Sequence, residues 1–241
     1  MDVYNSTNKI YELTGNIIND DLESNEYFNI EKISQEHSPT SMEYYGVVEL
    51  GLMCFYFINY SLFSIKCDER EQLKDRISIT GTKIYEYYLG KVIGNIVSLY
   101  ITIVSAYIIL RYIFGINYGE YIGIMPIGLF IFVCIAVSIG TLIGVLVKDE
   151  SKADSILMSV VIPILSFLGG GYIALGDELG IIGNLITRIS PLRTFSKGVL
   201  GIIYGDSYIN FVIWVLGGAA VFIIINLVTI FLARRKEEVY E

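Results

Sequence analysis

The sequence predicts an all-α membrane protein: a polytopic helical bundle with about five spans plus a re-entrant or interfacial helical hairpin. Three observations carry this. Of the 241 residues, 54% are hydrophobic and only 17% charged, with a mean hydropathy of +0.57; soluble domains hold roughly a quarter charged residues. Several apolar runs approach the ~20 residues a helix needs to cross a bilayer. The ten-residue alternating segments of a membrane β-barrel are absent from the pattern.

The elements follow in chain order. Residues 1–43 carry nine acids and two lysines, an acidic balance that argues against nucleic acid as a partner. The first fifteen residues are polar and read as neither signal peptide nor signal anchor. Leu13 and Ile17 allow a short helix, and His37, the single histidine, reads as a surface residue. The first span is expected at Tyr44–Ile65. Glu49 near its start reads either as an interfacial or packing group beside Tyr44 and Tyr45, or as a mechanistic carboxylate.

The segment 66–91, KCDEREQLKDRISITGTKIYEYYLGK, is the longest strongly charged interruption. The second span is expected at Tyr87–Tyr112. Lys91 and Arg111 can snorkel to its two ends, and Gly90 with Gly94 forms a small-xxx-small face. A polar stretch, 114–121, leads to a third span at Ile122–Val147, with Pro126 in its first turns and Ser138, Gly140, Thr141 and Gly144 as interface material. Residues 148–154 read as a tight charged turn. The fourth span, Ser155–Leu175, holds Pro163 in its middle, which must kink it or break its hydrogen-bond ladder. It ends at Gly169, Gly170 and Gly171, which mark irregular backbone buried in protein; no GKS or GKT follows, so a phosphate loop is excluded.

Residues 176–209 show an amphipathic period after Asp177-Glu178, then a break at Ser190-Pro191 and a second short piece. Both are too short and too charged to cross, which predicts the hairpin. The last span is expected at Tyr208–Leu232, with Trp214, the single tryptophan, as an interface anchor. The tail 233–241 opens with Arg234, Arg235 and Lys236.

Short loops rich in Lys and Arg face the cytoplasm. The tail, 66–86 and 148–154 are therefore expected inside, and 1–43, 112–122 and 176–209 outside. This divides the chain into an extracytoplasmic acidic segment 1–43, a transmembrane domain 44–232 and a cytoplasmic tail 233–241, in the cytoplasmic membrane. An acidic outside segment of this length would ordinarily follow an earlier span, so a further span upstream is expected. The three cysteines lack metal-site spacing, and no nucleophile–base set or carboxylate pair points to catalysis.

Three matches, in this order and spacing, carry a resemblance. They are Glu69-Arg70-Glu71 through Leu73, Arg76-Ile77, Gly81-Thr82 and Tyr87–Lys91; the glycine cluster ending Ser166–Leu175; and Ile189-Ser190-Pro191-Leu192 before a short amphipathic helix. Through them, residues 46–232 resemble the permease subunit of ABC-2 type exporters. The resemblance implies six spans per subunit and a permease dimer, homo- or heteromeric. It also implies cytoplasmic ATPase subunits that hold the ATP and Mg, with no cofactor on this chain. Gly90, Lys91, Pro163, the three glycines and Pro191 would then be structural. Within 66–91, Leu73 and Ile77 are four apart, so a helix can turn them to the membrane. Glu69, Arg70, Glu71, Lys74 and Asp75 would face water or the partner, and Glu69, Arg70, Glu71, Leu73, Lys74, Arg76 and Ile77 form the expected ATPase-coupling loop. Glu49, Asn59, Asn95, Ser98 and Ser166 are candidates for the transport path, with helix packing as their alternative. Two other functions fit the spans: an ion-coupled secondary transporter, and a non-transporting immunity or scaffold protein.

Overall fold

The computed structural model describes residues 39–79, 81–119, 123–173, 186–187, 189–204 and 208–240. His37, Asp177-Glu178, Arg188 and most of the acidic segment lie outside the described residues. Those described are helical, with no strand among them. In order they form α1 Ser41–Arg70, the short α2 Leu73–Ser78, α3 Ile84–Tyr112, α4 Ile124–Leu146, α5 Glu150–Leu168, α6 Pro191–Ile203 and α7 Tyr208–Tyr240. The five helices α1, α3, α4, α5 and α7 are long and apolar enough to cross a membrane.

Several expected boundaries shift: the fourth span ends at Leu168, the last helix runs on to Tyr240, and two further changes bear on the site. The 30-residue α1 is about 45 Å long, so it continues past Ile65 and carries the first charges of the 66–91 segment in helical form. A capping box starts it: the Glu43 carboxylate accepts from the Thr40 amide at 2.9 Å, and the Glu43 amide donates to the Thr40 hydroxyl at 3.3 Å. The expected turn 148–154 is the second correction. Asp149 caps α5 by accepting the Lys152 amide at 3.2 Å, so Glu150 to Asp154 are helical.

Proline and glycine shape α5. Leu157–Val161 is a π-turn, closed by the Ile162 amide donating to the Leu157 carbonyl. Pro163 follows directly, and the widened turn accommodates a residue that cannot donate to Ser159 or tolerate its carbonyl close by. The buried positions of α5 run Ala153, Leu157, Ile162 and Ser166. The five-residue step across the π-turn keeps them on one face. At the far end, Gly170 takes φ +83°. The Gly171 amide donates to Ser166 at 2.8 Å and the Gly170 amide to Phe167 at 3.1 Å, a Schellman cap that ends the helix.

The core lies around α4 and α6. Phe132 of α4 meets Phe55, Phe195 and Trp214 edge-on, with ring centroids 5.3 to 5.5 Å apart. Trp214 is therefore not an interface anchor. It is buried, and its indole N–H donates to the Gly128 carbonyl at 3.1 Å. The helix α6 is buried rather than surface-lying, and at 13 residues, about 20 Å, it is too short to cross. Glycines on α1 and α4 and at the cap of α5 make its slot: a side chain at Gly51 or Gly169 would strike Leu192, and one at Gly128 would press on Phe195. Pro191 opens it at the first helical position.

Candidate functional site

One end of the bundle brings together basic residues of α1 and α7. Arg70 of α1 lies 3.6 Å from Glu150 of α5, and Arg234 of α7 stacks 5.5 Å from the Tyr85 ring at the start of α3. Three segments far apart in sequence thus meet there.

The hairpin α1–α2–α3 is tied at its base. Asp68, nearly buried, accepts from Lys91 at 2.8 Å and from the Tyr87 hydroxyl at 2.7 Å. The same carboxylate lies 2.7 Å from Lys91 by its other oxygen. Lys66, also buried, pairs with Glu69 at 2.7 Å. An ion pair that satisfies its hydrogen bonds at such an end fixes geometry more than it adds stability. Between the tied helices, Gln72 adopts φ +52°, in the left-handed region, and turns the chain sharply from α1 into α2.

The expected coupling residues are distributed as follows. Glu69 is engaged by Lys66. Arg70 points back along α1, over the Phe63 ring at 5.3 Å, toward Glu150. Glu71 is exposed and accepts from the Cys67 thiol at 3.7 Å. Leu73 and Ile77 are half-buried and Arg76 is exposed. The side chains of Lys74 and Asp75 lie outside the described residues. Lys91 is bound to Asp68 rather than extended toward an interface.

The expected path residues separate into two groups. Asn95 is buried: its amide donates to the Ser61 hydroxyl at 3.3 Å and accepts from Ser64 at 3.3 Å. Ser61 in turn donates to the Val137 carbonyl and lies 3.0 Å from the Thr141 hydroxyl. These bonds knit α1, α3 and α4 together, where a side chain at Gly140 would fall on the Ile58 carbonyl oxygen. Ser166 is fully buried beside the α5 cap. Ser98 faces out of the bundle on α3, and Gly90 is open, with nothing within 4 Å of an added Cβ.

Glu49 and Asn59 belong to the second group, on the side of α1 that the bundle leaves uncovered. Tyr45, Glu49, Met53, Tyr56, Tyr60, Phe63 and Arg70 recur there every three to four residues or one heptad apart, and all are exposed. Glu49 lines an outer cleft of about 450 Å³ with Tyr45, Leu110 and Ile116. Toward the basic end, a larger cleft of about 990 Å³ opens between α1 and the start of α5. In it, the Asn59 amide donates to Asp154 at 2.6 Å.

Sequence reasoning missed Asp68 and Asp154. Asp68 continues the buried stripe of α1, three residues after Ile65 and six after Leu62; that register was the available signal. Asp154 was assigned to a turn, and only the Asp149 cap, in a D-E-S-K pattern, could have moved it onto a helix. Among the described residues no group of three His, Cys, Asp or Glu side chains is gathered as for a metal ion.

The sequence model described as "ABC-2 family transporter protein" matches residues 1–232. The match takes in the acidic segment together with the spans. No curated protein and no solved structure matches the chain.

Proposed function

The chain belongs to the ABC-2 family of membrane transporters, and on that premise we propose that it is the membrane-spanning permease of an ATP-driven exporter, energised by a separate ATPase subunit. The carrying observation is the tied base of the α1–α2–α3 hairpin. A short helix held between two long ones, whose ends are locked by Asp68, Lys91 and Tyr87, can pass a push on to the bundle without bending itself.

Basic residues concentrate at that end, so it faces the cytoplasm in this reading, with the C-terminus inside and the N-terminal segment outside. The exposed Glu71 and Arg76, with Leu73 and Ile77 beneath them, form the surface that meets the ATPase, on which ATP and Mg²⁺ are held. The uncovered side of α1 is where a second permease subunit closes the transport path. A carboxylate such as Glu49 is costly against lipid, and the seam between two subunits gives it polar surroundings.

The test is affinity isolation of the full chain from mild detergent. An ATPase subunit is expected to accompany it. Arg76→Glu with Glu71→Lys should weaken that association and reduce export while the permease itself stays intact. Isolation without any ATPase would count against the reading. A second reading, ion-coupled transport, is favoured by Glu49 and Asp154 on the open side of the bundle. It requires transport driven by an imposed proton gradient in vesicles containing this chain alone.

A further inference from the structure

The cleft between α1 and α5 has an uneven chemistry. Asp154 meets Asn59, which lies eleven residues before Arg70, about 16 Å back along α1. That sets the carboxylate, the last residue of the charged stretch 148–154, against the apolar part of α1. An ionisable group facing the apolar part of a span is commonly kept for a partner or a passing ligand. Among the described residues Asp154 accepts from the neutral amide of Asn59.

Around it stand three aromatic rings on one side of α1, Tyr56, Tyr60 and Phe63, each close to half exposed and lining the same cleft. Other charged groups line the same cleft. Arg70 is turned to Glu150 and to the Phe63 ring, and Asp149 is paired with Lys152 at 3.2 Å. Lys148 also lines the cleft, with no ion pair to a described residue. The cleft therefore offers the Asp154 carboxylate beside the rings of Tyr56 and Tyr60, while the Phe63 ring already carries the Arg70 guanidinium.

Rings attract cations through their faces and accept apolar groups, and a carboxylate adds charge and a hydrogen-bond acceptor. We infer that this cleft binds amphipathic organic cations, with the cationic centre at Asp154 and the apolar body on Tyr56 and Tyr60. The inference rests on the transporter reading above and names the substrate class for it. A cleft of about 990 Å³ accommodates a drug-sized molecule.

The experiment uses the purified full chain in lipid nanodiscs, with empty nanodiscs subtracted. The probes are tetraphenylphosphonium and tetraphenylborate, nearly equal in shape and opposite in charge. Saturable binding of the cation is expected, with no competition from the anion. Asp154→Asn, which can still bond Asn59, should weaken the cation by about tenfold or more. Tyr60→Ala should weaken it about threefold, with Tyr60→Phe close to wild type. Gel filtration and thermal melting establish that each variant is folded. Equal binding of the two ions, unchanged binding in Asp154→Asn, or no saturable binding of the cation overturns the site. The ATPase isolation separates the two proposals. A co-isolated ATPase without charge-selective binding removes the site alone, and Asp154-dependent binding with no ATPase keeps the site and removes the ATP-driven reading.

Discussion

Helices α4 and α5 are consecutive in the chain and differ in almost every respect that matters for function. In α4, 67% of the most apolar window is buried; in α5 the figure is 22%. The first is regular, carries glycines where neighbours come close, and places its serine and threonine hydroxyls on its own backbone, as Ser138 does on Cys134 at 2.8 Å. The second carries a π-turn, a proline, exposed Ser155 and Ser159, and an ionisable Asp154. The difference teaches that the bundle is a rigid unit of α1, α3, α4, α6 and α7, against which α5 is held along a single stripe.

The most severe way to test that division is to remove a ring from the rigid part. Phe132→Ala deletes the residue that touches three other aromatics in the core. A loss of about 3–5 kcal/mol is expected, read as a lowered unfolding midpoint by circular dichroism in detergent. A loss under about 1 kcal/mol would mean that the aromatic cluster does not organise the bundle.

The π-turn of α5 offers a sharper test. It acts as one inserted residue that keeps Ile162 and Ser166 facing the core. Deleting Val160, which is exposed, should convert the turn to ordinary helix with the register preserved. Pro163 then has no widened turn before it, so the deletion alone is expected to cost about 3 kcal/mol. Combining it with Pro163→Ala should recover most of that loss. If the combined variant is no more stable than the deletion, the π-turn is not the accommodation of Pro163 proposed here.

Much of this architecture was legible in the sequence, for a definite reason. Apolar runs of membrane length are set by one-dimensional composition, so the five long helices could be placed. The break at Ser190-Pro191 and the glycine cluster were visible because proline and glycine act on local backbone. What was not legible depends on register between helices. Trp214 looked like an anchor because its place in the run is near one end, yet it is the neighbours at Phe132 and Phe195 that decide its burial. Asp68 and Lys91 are 23 residues apart and became a pair only when the hairpin closed. Asn59 and Asp154 are 95 apart and met only through the packing of α5 on α1.

Gly140 sharpens the comparison from the rigid side. Gly140→Ala would set a methyl group against the Ile58 carbonyl oxygen and the Ser61 Cβ, both parts of a packed helix. A cost of about 1–3 kcal/mol is expected from overpacking. Ser61 should also be pushed away from Thr141, seen as faster amide exchange in α1 around residue 61. Gly90→Ala is the internal control, since an added Cβ there meets nothing, and it should hold or slightly raise the midpoint.

The smallest effect is expected on the outer side of α5. Ile164 is about half exposed and follows Pro163 on the side away from the core stripe. Truncation to alanine removes few contacts within the chain, so Ile164→Ala should change stability by less than about 0.5 kcal/mol. Phe167, equally exposed, should behave the same way. The informative result is the split between stability and function. If α5 is the loosely held element that a second subunit or a substrate meets, these substitutions should alter export or subunit association while the unfolding midpoint stays fixed. A large loss of stability would show that the outer side of α5 is part of the rigid unit after all. Unchanged stability with unchanged export and association would make it a plain lipid-facing surface.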